Sequence, residues 1–149
     1  MNSANPWKSY RQIATQTASP GQLILMLFDG ALHSMQRALV GFEQAEPGPR
    51  NQIIHNNLRK AVDIIRQLNY SLNLEAGGEL AQTLRRLYQY FDSRLSESNL
   101  NKRREGIDEV LGHLTGIRDA WATMLEQQGQ ELDSPCELDQ ALQPVPQLV

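Results

Sequence analysis

The sequence predicts an all-α fold: an antiparallel up-down four-helix bundle, with a short fifth helix near the C-terminus and a loosely docked N-terminal arm. Three observations predict it. Apolar residues recur at steps of three and four through four successive stretches. Each stretch is about 20–26 residues long and is bounded by proline, glycine or asparagine. The connections between stretches are short, which makes sequential helices antiparallel neighbours. On this reading residues 1–18 are the arm, residues 19–129 the bundle and residues 130–149 a tail.

The arm is polar and mixed, with Trp7, Tyr10 and Ile13 as its few apolar points. Tyr10 and Ile13, three apart, share one face of a single turn and can pack on the bundle. Too little patterning is present for an independent helix.

The first helix is expected over about residues 19–44. Ser19 caps it, Pro20 suits its first position and Gln22 can return the capping bond. Leu23 to Phe28 then form six consecutive apolar residues, more than one buried stripe needs. Taking Ile24 as the reference direction, Leu27, Phe28, Ala31, Met35, Ala38, Leu39 and Phe42 share its face, the predicted core. Leu23, Met26, Gly30, His33 and Arg37 fall on roughly the opposite side. That outer stripe combines apolar side chains with a glycine that lets another backbone approach. Either a partner docks there or a neighbouring segment of this chain covers it.

Glu46-Pro47-Gly48-Pro49 stops the first helix, and the second is expected over about 51–74. Its stripe is Ile54, Leu58, Ala61, Ile65, Leu68 and Leu72, with Ile53 and Ile64 widening the face to one side. Gly77-Gly78 marks its end. The third helix, about 79–99, carries Leu80, Leu84, Leu87, Tyr88, Phe91 and Leu95 as its predicted buried stripe, while Tyr90 points elsewhere. The fourth, about 102–128, places Ile107, Val110, Leu111, Leu114, Ile117, Trp121, Met124 and Leu125 in heptad-like order. In the tail, Ser134-Pro135-Cys136-Glu137 forms a capping box ahead of Leu138 and Leu142, which predicts a short helix over about 135–143.

Composition narrows the function classes. The 149 residues are 40% hydrophobic and 21% charged, with a formal net charge of −3, as in an ordinary soluble domain. The acidic pI near 5.6 argues against a nucleic-acid or membrane-surface binder. Cys136 is the only cysteine, so an intramolecular disulfide is impossible and the chain suits a reducing compartment. No apolar run approaches the roughly 20 residues of a membrane span, and the N-terminus carries no apolar leader. A cytoplasmic protein without membrane insertion is expected.

Catalytic patterns do not assemble. Helical bundles that hold di-iron use Glu-x-x-His pairs, and none occurs here. His33, His55 and His113 lie on three different predicted helices, and Gly77-Gly78 lacks the Lys-Ser/Thr of a phosphate loop. The sequence predicts a non-enzyme with no cofactor and no metal.

The order Tyr10 … Ala18-Ser19-Pro20-x-Gln22-Leu23-Ile24 … Met26-Leu27-Phe28-Asp29-Gly30-Ala31 resembles the opening of the FliS family of flagellin-specific export chaperones. Ala61-Val62-Asp63-Ile64-Ile65, Gly77-Gly78-Glu79-Leu80-Ala81, Ser98-Asn99-Leu100 and Arg118-Asp119-Ala120-Trp121 agree in order and spacing. The resemblance covers about residues 7–125. It departs at Leu87-Tyr88-Gln89-Tyr90-Phe91, where the family usually has Leu-Tyr-Asp-Tyr-Met, and at Ser98, usually Ala.

The resemblance implies a cytoplasmic chaperone that holds the disordered C-terminal region of flagellin and prevents its premature polymerisation. It also implies delivery to a component of the flagellar type III export gate, and an N-terminal arm that covers the substrate groove, with Tyr10 matching the arm's tyrosine. A segment that becomes helical on contact needs an apolar groove for its i, i+3, i+4 anchors. Leu23, Met26, Gly30, Ile53 and Ile64 are the candidates to line that groove, and Tyr10 and Ile13 the candidates for a lid. The alternative is a regulatory adaptor that binds a flagellar regulator such as an anti-sigma factor.

Overall fold

A computed structural model describes the backbone of residues 18–132 and the side chains of residues 18–129. The arm candidates Tyr10 and Ile13, the tail beyond residue 132 and its predicted helix over 135–143 lie outside the described residues. Within them the chain is all-helical, with four helices: α1 Pro20–Gly41, α2 Pro47–Tyr70, α3 Leu74–Asn101 and α4 Glu105–Leu132.

The helix ends follow local chemistry. Ser19 accepts a hydrogen bond from the Gln22 amide at 3.2 Å, and Pro20 occupies the first turn of α1. Helix α2 begins at Pro47 rather than near Asn51, because prolines at the first turn have no amide hydrogen to leave unpaired. It ends at Tyr70, ahead of the glycine pair expected to close it. Asn73 instead caps a new turn through the Ala76 amide at 3.0 Å. That turn runs into α3 across Gly78, whose φ of 57° and ψ of −133° interrupt the helix. Gly77-Gly78 thus kinks the entry to α3 instead of ending α2. At the other end of α3, Lys102 adopts the left-handed conformation that terminates the helix.

Each helix packs against the next, and α4 closes the set by packing on α1. The core between them holds Ile24, Phe28, Ala31 and Met35 of α1, Ile54, Leu58, Ala61 and Ile65 of α2, Tyr88, Phe91 and Leu95 of α3, and Ile107, Val110 and Leu114 of α4, all buried. Leu27, Leu39 and Phe42 pack at its margin, as do Leu111, Ile117 and Trp121. The third helix departs from expectation. Leu80 is 55% exposed and Leu87 36% exposed, so only the later part of its predicted stripe is core.

Helix α1 also revises one expectation. It is long and apolar enough, by length and composition, to cross a membrane, although its longest uninterrupted apolar run is far shorter. In this fold Ile24, Phe28, Ala31 and Met35 of this helix are buried in the core shared with the other helices, while Val40 is exposed.

Candidate functional site

The candidate surface begins with the first two turns of α1. Leu23 and Met26 are half-buried and lie on the side of α1 away from Ile24 and Phe28. Four residues beyond Met26, Gly30 faces α2: a β-carbon placed there would stand 3.3 Å from Ile64 Cδ1. Gly41 repeats the arrangement with Ile53, whose Cγ2 would lie 2.8 Å from such a carbon. The glycines therefore admit this chain's own α2, and Ile53 and Ile64 fill the seam that they open. All five groove candidates lie along α1 and its junction with α2, each neither fully buried nor fully exposed.

This seam differs in chemistry from the other three. Among the described residues, interhelical ion pairs bridge α2 to α3 through Arg66 and Asp92 at 2.8 Å, α3 to α4 through Arg94 and Glu109 at 3.0 Å, and α4 to α1 through Arg118 and Asp29 at 2.8 Å. Trp121 reinforces the last by donating its indole N–H to the Gly21 carbonyl at 2.9 Å while its ring tilts against Phe28. The α1/α2 seam carries aliphatic side chains against glycines instead. An apolar seam can exchange one apolar neighbour for another without leaving a buried polar group unpaired.

Glu109 joins α3 to α4 through two side chains. It accepts from both the Tyr90 hydroxyl and the Arg94 guanidinium. The Tyr90 hydrogen bond and the cation hold its carboxyl below the usual range, and the same bond raises the Tyr90 phenol. Burial alone pushes the Tyr88 phenol upward.

The three histidines stay apart. His55 bonds Asn99 at 2.9 Å, the His113 ring stacks on Phe91 with centroids 6.2 Å apart, and His33 is exposed on α1. Among the described residues, no three His, Cys, Asp or Glu side chains gather as metal ligands would. A cavity of about 250 Å³ between α2 and α3, lined by His55, Arg59, Asp63 and Asn99, is open and polar.

The pairings Asp29–Arg118 and Gly21–Trp121 had no sequence signal, since each joins residues about ninety or more positions apart. The opposite charges of Asp29 and Arg118 become informative only once α1 and α4 are neighbours.

Fold and surface together define an all-helical bundle that presents an apolar seam along its first helix. The chain belongs to the FliS family: the family described as Flagellar protein FliS matches residues 3–128. The chain is 40% identical over 126 residues to the flagellar secretion chaperone FliS of Salmonella typhimurium, covering 81% of this chain and 90% of that protein. It is 33% identical over 127 residues to the flagellar secretion chaperone FliS of Bacillus subtilis, covering 85% and 91%. The flagellar secretion chaperone FliSB of Pseudomonas aeruginosa is 35% identical over 118 residues, covering 76% and 90%.

Proposed function

We propose that this protein is a cytoplasmic, non-enzymatic chaperone that holds the C-terminal region of flagellin, keeps it from polymerising early and hands it to the flagellar export gate. The observation that carries this reading is the family match across nearly the whole bundle, with relatives named flagellar secretion chaperones. The fold belongs to the same reading as an antiparallel up-down bundle. The order of contacts supports it: Gly21, early in α1, meets Trp121, late in α4, and Gly30 meets Ile64 while Gly41 meets Ile53.

The flagellin segment lies along Leu23, Met26, Gly30, Ile53 and Ile64 as an amphipathic helix. Its apolar anchors replace solvent over the half-buried aliphatics, and Met26, unbranched and polarisable, adapts to their shape. Tyr10 and Ile13 form a lid that the substrate displaces. Binding is coupled to folding of the substrate, so the free energy of association drives capture without nucleotide hydrolysis, and competition at the gate releases the cargo.

Calorimetry with the C-terminal segment of flagellin tests the proposal. A one-to-one complex with a large negative heat-capacity change is expected, since a long segment orders and buries apolar surface. Absence of binding, with an anti-sigma factor bound stoichiometrically in its place, would replace the chaperone reading with the regulatory adaptor.

A further inference from the structure

Charge is unevenly distributed over this fold. Helix α2 carries Arg50, Arg59, Lys60 and Arg66 against Asp63 as its one carboxylate, and the turn between α3 and α4 is Lys102-Arg103-Arg104. Helix α4, in contrast, is acidic, with Arg118 as its one Lys or Arg.

Two side-chain links bring cations of α2 and of the turn to one groove between α2 and α3. At one end the Asn99 amide bonds the His55 ring at 2.9 Å, and Lys102 Nζ donates to Asn99 Oδ1 at 2.7 Å, which ties the turn to α2. At the other end Arg66 pairs with Asp92 at 2.8 Å, and the Ser96 hydroxyl donates to the same carboxylate at 3.3 Å. Between these links lies the cavity of about 250 Å³, floored by the buried Leu58, Val62 and Leu95 and rimmed by Arg59 and Asp63.

The carboxylates of the groove act on Arg66. Asp92, through its hydrogen bond and its charge, and Asp63, through its charge, hold that guanidinium above its usual pKa. Arg59 has no such partner. It is exposed beside the cavity, and among the described residues it makes no ion pair and no hydrogen bond.

We propose that this groove receives an acidic segment of a partner protein, one carboxylate of which enters the cavity against Arg59 while another meets Lys102 or Arg103 at the turn. Size and charge each favour it. A volume of about 250 Å³ falls below the roughly 300–1,000 Å³ of small-molecule sites, which leaves room for a side chain and not for a whole ligand. A phosphodiester strand laid along the groove would carry its charge past Asp63 and Asp92, whereas a peptide can set a neutral residue opposite them. Arg59 lies about one helical turn from His55, and Lys102 about one turn from Asn99 on the other side of their link. The two cations are therefore about 11 Å apart along the groove, a span that about four residues of extended chain cover. Ile53 and Ile64 lie roughly 120–140° round α2 from Arg59, so the groove is distinct from the α1/α2 seam and its docking does not depend on flagellin.

A titration of the isotope-enriched full-length chain with an end-capped octaglutamate peptide tests this. Amide shifts are expected to concentrate at residues 55–66 and 95–103. Arg59→Gln should weaken the peptide about fivefold, while Lys60→Gln, the same charge change on another face of α2, should leave the affinity near that of the wild type. Equal losses in the two variants, or none in Arg59→Gln, would overturn the proposal. So would shifts centred away from the groove, or tighter binding of a single-stranded oligoribonucleotide of equal charge, which would assign the surface to nucleic acid.

Discussion

Gly78 shows how one residue can shape an element. Its φ of 57° with ψ of −133° lies where a β-carbon clashes with its own backbone, although the space around it is open. Strain, and not crowding, therefore decides its substitution. Gly78→Ala is expected to lower stability by about 1–3 kcal/mol, read as a lower urea midpoint at unchanged slope. An unchanged midpoint would mean that the turn at Leu74–Gly77 relaxes without cost to the bundle. Gly21 is the contrasting case. A β-carbon there would stand 2.6 Å from Leu125 Cδ2, the end of a flexible side chain that can yield.

At the scale of elements, the clasp between α3 and α4 carries a pH dependence of known sign. The folded state holds Glu109 below its ordinary carboxylate range through the Tyr90 hydroxyl and Arg94. Its contribution is present above the unfolded carboxyl pKa and is lost as pH falls through the lower folded value. The Tyr90 phenol is raised by the same bond, so its contribution is present below the ordinary tyrosine range and is lost as pH rises through the folded value. The difference in urea midpoint between wild type and Glu109→Gln should therefore be present at neutral pH and shrink at acid pH. A difference that persists unchanged in acid would assign the effect of the substitution to packing. The same element explains the misplaced part of the third stripe. Leu80, Leu84 and Leu87 recur at helical spacing whether or not a neighbour faces them, and periodicity alone reports a face, not what covers it.

For the whole molecule, the distribution of polar links distinguishes the surface proposed to hold the flagellin segment from the other three seams. Charged side chains staple three seams, and the α1/α2 seam is aliphatic. Exposed and half-exposed ion pairs add little stability individually, but breaking them to admit a ligand would require rehydrating or re-pairing each charge. The apolar seam makes no such demand. Met26→Glu is therefore expected to weaken binding of the flagellin segment at least tenfold, about 1.4 kcal/mol or more, while the far-ultraviolet circular dichroism stays helical. Full affinity in that variant would move the substrate away from the start of α1.

The sequence by itself determined the four helices of the described residues, apart from their exact ends, and most of the core. Ile24, Phe28, Ile54, Leu58, Phe91, Leu95, Ile107 and Leu114 are buried where helical spacing placed them, because a helix has one fixed period and water selects its apolar face. The family was legible in the block from Ser19 to Ala31, where capping residues, an apolar run and a glycine follow one another in order. Only the tertiary structure decided what each extra apolar residue meets. Gly30 was read as an opening for another backbone, and it meets Ile64 of the same chain. Leu87 was read as core, and it is 36% exposed. Burial is a property of pairs of surfaces, and one helix's sequence specifies only its own half of each pair.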